Sequence, residues 1–385
     1  MPGKRFFFVE PSKVGPQHIT LIEGYLRALT TSERLARTHA VSFVSSRSTF
    51  AHLSADLRAN VHHEAVPVMN PEKRRLVLKT FVEFLVVLRY LLKMRSGDLL
   101  FVSCVLPTTL LALEYANRVL RRTGFHVTLH GEIEGLFDRS LQRISSYGYW
   151  VALWLRKRRP DSLLSLVVID DFIKQRLLAE FPDKLGDAQI SVAYHPITAF
   201  ASTAAIRPPP ARAAVCFIGY RTRFKGFDQF EALAGAVPGL RFVAIGGGAV
   251  VDIPGGESRR LDGTAEYIHA IADCSVALFP YIGAYTASLS AAVLDALSAG
   301  VHVLATRRAC FVALADYFGP DFVTLYDRPE EAASILGNAE WLARQDGLQA
   351  RRLAQLTASR YHIAGIRSCF EQLVPSPAAG TYATS

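Results

Sequence analysis

At 385 residues the chain exceeds one ordinary hydrophobic core and calls for two domains. Half of the residues are apolar and a fifth are charged, which excludes a disordered chain, and 43 Lys+Arg against 34 Asp+Glu leave a net charge of +9. That balance suits an anionic partner such as a nucleotide, a nucleic acid or an acidic membrane surface, without choosing among them. The five cysteines, Cys104, Cys216, Cys274, Cys310 and Cys369, include no CxxC pair, so they read as reduced thiols of a cytosolic protein with no zinc signature.

The apolar run that ends at Glu10 is too short for a signal-peptide core and reads as a first strand, Arg5–Val9. Further strands are predicted at Thr38–Ser45, Leu99–Ser103, His126–Leu129, Ser165–Ile169 and Ile190–Ala193. Helical patterns at Ile19–Leu29, Arg75–Met94, Thr108–Arg121 and Phe172–Glu180 fall between most of them. Such alternation predicts parallel βαβ units. Within Arg75–Met94, Lys79, Glu83 and Arg89 argue against a membrane-spanning helix. On a helical wheel Arg75, Lys79, Arg89 and Lys93 gather on one side, with Phe81, Phe84, Leu85, Val86, Leu88 and Leu92 over most of the rest. Two readings stay open: a surface helix packed on a sheet, or a helix lying on an anionic membrane. A second basic, aromatic stretch, Tyr147–Arg159, carries the same two readings.

Residues 198–212 are rich in Ala, Thr and Pro and form the linker candidate between a first domain, 1–197, and a second, 213–344. Alternation then restarts, with strands at Val215–Gly219, Arg241–Ile245, Ser258–Leu261, Val276–Phe279, His302–Ala305 and Phe322–Leu325. Helices fit Gly226–Gly235, Ala265–Ile271, Ser288–Ala299 and Glu330–Gly337. The segment 345–373 is helical in pattern and is expected to cross back to the first domain, and 374–385 reads as a disordered tail. The fold class is α/β: two facing Rossmann-like domains with a cleft between them.

Ligands of open parallel sheets bind beyond the carboxyl ends of strands. Gly219 opens a loop there that carries Arg221, Arg223 and Lys225, cations suited to a diphosphate. Gly246 and Gly247, followed by Gly248, allow close backbone approach. Ser288, Leu289 and Ser290 offer backbone N–H groups at a helix start. Asp295 lies among apolar neighbours and needs a partner, either a ribose or an internal arginine. After the first strand, Gly15 suits close approach, with Lys13, Gln17 and His18 in reach. Asp170 and Asp171 read as acids that open a helix rather than as a metal pair.

The order Gly219…Lys225-Gly226, Gly246–Gly248, Ala272–Pro280 and Leu294–Val303 resembles the second half of GT-B glycosyltransferases. The likeness is greatest to the large retaining family that acts on polysaccharide and glycolipid precursors, and it covers roughly residues 213–328. Against that family's pattern, Asp295 stands for its second Glu, Ala287 for its first, Tyr220 for its usual Arg and His302 for a Pro. The resemblance implies a nucleotide-sugar donor, UDP- or GDP-linked, on the second domain. It implies a glycan or lipid-linked acceptor on the first, His130 contacting the transferred sugar, and no metal or cofactor. Glu132 is a base candidate or a helix-opening acid. The expected enzyme is a metal-independent glycosyltransferase of surface polysaccharide or glycolipid synthesis, cytoplasmic and peripheral on the inner face of the plasma membrane. No motif supports nucleic-acid binding. The rivals are a catalytically degenerate partner subunit, which Ala287 favours, and a sugar-nucleotide epimerase.

Overall fold

A computed structural model describes residues 3–69, 75–143, 146–197, 213–247, 253, 256–259, 261, 264–283 and 285–374. Two compact units emerge: residues 1–196 with 363–385, and residues 197–362. The linker candidate 198–212, Gly248 and the tail from residue 375 lie outside the described residues.

The first unit carries strands β1 (Lys4–Val9), β2 (His39–Ser45), β3 (His62–Ala65), β4 (Leu99–Val102), β5 (Phe125–Leu129), β6 (Leu164–Val168) and β7 (Ile190–Val192). The second carries β8 (Ala214–Ile218), β9 (Arg241–Ile245), β10 (Gly256–Arg259), β11 (Val276–Phe279), β12 (His302–Thr306) and β13 (Val323–Tyr326). Their orders are β3-β2-β1-β4-β5-β6-β7 and β10-β9-β8-β11-β12-β13, and the pairings are parallel. In each sheet the chain first builds outward on one side of its opening strand and then returns to the other. The carboxyl ends of β1/β4 and of β8/β11 are therefore topological switch points, where such sheets bind ligands.

The inner strands are near-continuous apolar runs because helices cover both sheet faces, whereas the edge strands β3 and β10 are polar. Phe6, Phe8, Phe43 and Phe101 fill one side of the first sheet together with Tyr25. The helix Ile363–Leu373 packs against Ile19–Thr30 and inserts Phe370 among them, 5.1 Å from the rings of both Tyr25 and Phe101. Val374, read from the sequence as tail, is buried in the same core. In the second unit Val215, Phe217, Phe227, Phe230 and Phe242 form the equivalent layer.

Several expected faces and boundaries change. Helix Leu76–Lys93 departs from the wheel: Lys79 and Glu83 are buried, while Val77, Phe81, Leu85 and Leu92 are exposed along with Arg89 and Lys93. The reason is local, since the Glu83 carboxylate accepts hydrogen bonds from the Leu106 N–H (2.9 Å) and the Thr109 hydroxyl (2.8 Å) at the start of the next helix. Helix Tyr147–Lys157 packs Val151, Trp154 and Leu155 inward. Arg158, in the basic stretch Tyr147–Arg159 whose two readings were open, is fully buried in an ion pair with Glu114 at 2.8 Å and also donates to the Leu164 carbonyl. The helix expected from Ser288 starts at Ala291, and the strand expected at Ser258–Leu261 is β10, two residues earlier at its start. His302 is a core residue, bonded to Thr324 Oγ1 at 2.9 Å and packed against buried Arg352.

Phe370→Ala removes a ring from a closed aromatic cluster and is expected to lower unfolding free energy by about 3–5 kcal/mol. Denaturant melts followed by circular dichroism check this. A loss below about 1 kcal/mol would mean that the returning helix adds little to the first core.

Candidate functional site

The two switch points carry two polar clusters, one in each unit. In the first, Glu10 ends β1 with no solvent exposure. Its Oε1 accepts the N–H groups of Ser12 and Lys13, both at 3.0 Å, and its Oε2 accepts the Ser103 hydroxyl at 2.7 Å. Ser103 follows β4, and its carbonyl accepts the Nε2–H of His130, which follows β5, at 2.6 Å. His130 in turn donates its backbone N–H to Glu132 at 2.8 Å. The loop after β1 is tied to the chain after β2 by Gly15 N–H to Ser48 Oγ (3.2 Å) and Thr49 Oγ1 to the Lys13 carbonyl (3.1 Å). His18 takes a left-handed conformation (φ 60°) and sets its ring 5.2 Å from that of His130.

Burial dominates the electrostatics here. It holds His18 down at about 2 and His130 at about 4, so both rings are neutral near pH 7. It pushes the carboxyls of Glu10, Glu83 and Glu132 up. Burial also opposes charge on Lys13, but Cys104 and the carboxyls of Glu10, Glu132 and Glu83 outweigh it and hold the ammonium above its ordinary range. Lys79 lies 3.7 Å from Glu83, and burial lowers it. Glu10, Lys79, Glu83 and Cys104 were not singled out in the sequence as members of one site. The only signal was the Lys79/Glu83 pair at i, i+4 in a largely apolar helix.

In the second unit Gly219 (φ 105°) closes β8 and Gly246 (φ 123°) closes β9. The two backbones pack so closely that a Cβ on Gly246 would lie 3.0 Å from the Gly219 Cα. The basic loop then folds a 3-10 turn, Arg223–Lys225, and reaches Gly226 (φ 70°). A Cβ on Gly226 would meet the Pro280 carbonyl at 1.7 Å, so only glycine lets this loop pass beneath the end of β11. The Phe224 carbonyl accepts N–H groups from Ile282 and Gly283, both at 3.0 Å, which clamps the two loops together.

The three cations of the loop separate. Arg223 is exposed, and Arg221 is half-buried with its charge disfavoured by burial. Lys225 turns inward: its Nζ lies 3.1 Å from the position a Cβ on Gly219 would take and 5.5 Å from the Tyr281 ring centre. Burial lowers Lys225, and the charge of Asp295 raises it. Asp295 accepts a hydrogen bond from the Tyr267 hydroxyl at 3.1 Å. Ser288, Leu289 and Ser290 precede the helix Ala291–Ser298, and Ser290 shares a hydrogen bond with the Tyr281 hydroxyl at 2.8 Å. Gly247 backs onto the ring of Tyr220. Gly219, Gly246, Lys225, Ser290 and Asp295 thus share the strand ends of one sheet, with Tyr267 and Tyr281 as connecting residues that sequence reading missed. Asp170 caps its helix by accepting the Phe172 N–H at 3.2 Å.

No family model and no curated protein sequence matches the chain. Solved structures do. Sucrose-phosphate synthase from Thermosynechococcus elongatus matches with a TM-score of 0.68 at 14% identity, over 96% of this chain and 98% of that one. Anabaena HepE in complex with UDP and glucose matches with a TM-score of 0.63 at 12% identity, over 96% and 98%. WaaG, a glycosyltransferase involved in lipopolysaccharide biosynthesis, matches with a TM-score of 0.61 at 13% identity, over 96% and 100%. The chain therefore has the fold of these GT-B glycosyltransferases, with two Rossmann-like units.

The depressed histidines set the sign of an acid effect. The unfolded chain protonates His18 and His130 near 6.5, while the folded protein resists until about 2 and about 4. Their stabilisation is complete above 6.5 and is lost as pH falls through that window. The raised carboxyls act oppositely, favouring the fold at low pH and losing that contribution as pH rises. Unfolding free energy is expected to fall on acidification between about pH 6.5 and 4, and less so in His18→Asn. Urea melts across that range check it, and an equal or steeper fall in the variant would overturn it.

Proposed function

We propose that the protein transfers a sugar from a nucleotide-sugar donor, UDP- or GDP-linked, to a glycan or lipid-linked acceptor. The observation that carries this reading is the inward-turned Lys225, within the electrostatic reach of Asp295, beside two packed glycines at the β8/β11 switch point. A diphosphate needs cations and free approach to backbone N–H groups, and a ribose needs an acceptor for its hydroxyls. Lys225, with Arg221 and Arg223 nearer solvent, would meet the diphosphate. Gly219, Gly246 and Gly247 would admit it to the backbone, and Ser288, Leu289 and Ser290 would offer N–H groups. Asp295 would orient the ribose. On the first unit neutral His130 would contact the transferred sugar, Glu132 would act as base, and Gly15 would allow close approach of the donor. Cations in place of a metal make the reaction metal-independent. HepE, which binds UDP and glucose, and WaaG, which acts in lipopolysaccharide synthesis, support the donor class and a surface polysaccharide or glycolipid product.

Nucleoside diphosphates are expected to raise the melting temperature, and a screen of UDP, GDP, ADP and TDP identifies the base. Lys225→Ala is expected to weaken the nucleoside diphosphate by about 1.5–3 kcal/mol and to spare the nucleoside. Isothermal titration of both ligands checks this, and equal losses would reject the diphosphate role. Binding without transfer would favour the degenerate-subunit reading, and interconversion of the free donor would favour the epimerase.

The reading extends to peripheral attachment at the inner face of the plasma membrane. Among the described residues no helix is long and apolar enough to cross a membrane. Helix Leu76–Lys93 nonetheless exposes Val77, Leu78, Phe81, Leu85 and Leu92, with Arg89 and Lys93 exposed toward its end. Apolar side chains of this kind insert at the headgroup boundary, and each cation near an anionic leaflet adds about 1 kcal/mol. Flotation with anionic vesicles is expected to carry the protein, less so at high salt and less so in Phe81→Ser/Leu85→Ser. No flotation at low salt would reject attachment.

A further inference from the structure

We infer that His18, Cys104 and His130 form a binding site for a thiophilic divalent ion of the zinc class. Nothing in their spacing announces it: the three come from the loop after β1, the chain after β4 and the chain after β5. The fold nevertheless brings one donor atom from each within 4.8 Å of the other two. Tetrahedral zinc, with bonds of about 2.0–2.3 Å, sets neighbouring donors roughly 3.3–3.8 Å apart, so closure requires about an ångström of side-chain movement.

Two features prepare the ligands. The Ser103 carbonyl can only accept, so the 2.6 Å contact fixes the proton of His130 on Nε2 and leaves the lone pair on Nδ1. A backbone carbonyl holding the far nitrogen of a ligating histidine is the usual outer support of such sites. His18 Nδ1 is shielded from solvent and has no hydrogen-bond partner. Both imidazoles are half-buried and Cys104 is buried, so an ion would enter from the histidine side. One sulfur and two nitrogens select zinc or cobalt over magnesium and calcium, which take oxygen ligands.

Binding is balanced by one proton: the Cys104 thiol releases its hydrogen to solvent as the metal–sulfur bond forms, and both histidines coordinate as neutral rings. Burial pushes the Cys104 thiol up and Lys13 opposes an incoming cation, whereas the carboxyls of Glu10 and Glu132 near the sulfur favour it. Three protein ligands leave a fourth position for water or an added ligand. The site does not depend on the sugar-transfer reading, and a bound ion would take the His130 Nδ1 that the sugar would otherwise meet.

The test titrates metal-free protein lacking an affinity tag with Co2+, followed by Zn2+. Expected is saturable uptake of one Co2+ with a thiolate-to-cobalt band in the near ultraviolet, abolished by excess Zn2+. The band should be absent in Cys104→Ala that melts like the parent, and affinity should drop by more than about tenfold in His18→Ala, the loss seen when even an outer support is removed. No thiolate band, or a full band in Cys104→Ala, overturns the site. Should Cys104→Ala fail to fold, His18→Ala decides, and unchanged Co2+ affinity there overturns it.

Discussion

Glu10 ends the first strand with its carboxyl wholly removed from solvent, and the first cluster is arranged around it. A buried carboxyl is costly unless its oxygens are satisfied. Here one oxygen draws the backbone of Ser12 and Lys13 into a turn, and the other reaches the Ser103 hydroxyl. The turn fixes where Lys13, Gly15 and His18 emerge. The Ser103 contact fixes the carbonyl that orients His130. One desolvated group thus coordinates three strand ends, and the polar residues above the sheet inherit their positions from it.

The second unit solves the same problem with backbone rather than charge. Gly219 and Gly246 press together, and Gly226 slides under the Pro280 carbonyl. The basic loop is therefore held by contacts that no side chain would permit. Its inward cation, Lys225, lies over Gly219, where burial lowers it and the charge of Asp295 raises it. Tyr267 and Tyr281 complete the frame through Asp295 and Ser290.

Much of this architecture is legible in the sequence for a simple reason. Parallel strands covered on both faces must be short apolar runs, and Phe6–Val9, Leu99–Val102 and Val276–Phe279 read as such. The edge strand His62–Ala65 has no apolar run, so periodicity passes over it. Helix Leu76–Lys93 misleads because periodicity assumes that charges face water, whereas Glu83 satisfies the start of the following helix from inside. Arg158 misleads for the same reason, its partner Glu114 lying far off in sequence. The glycine turns and the basic loop were visible, because strand ends are where chemistry collects. Glu10, and the meeting of Cys104 with His18 and His130, were not, because contacts between residues distant in the chain leave no spacing to read.

The returning helix Ile363–Leu373 makes the first unit discontinuous, with residues 197–362 inserted as a complete second body. On a ribosome the first sheet emerges early, yet its aromatic core lacks Phe370 until the whole insertion has been made. Closing so long a loop costs entropy that grows only slowly with its length, and an insertion that has already folded shortens the effective loop further. The second unit, contiguous and self-contained, is free to mature while the first waits. Closure of the first core therefore waits on residues made after the second unit, and the helix Ile363–Leu373 is the piece that closes it.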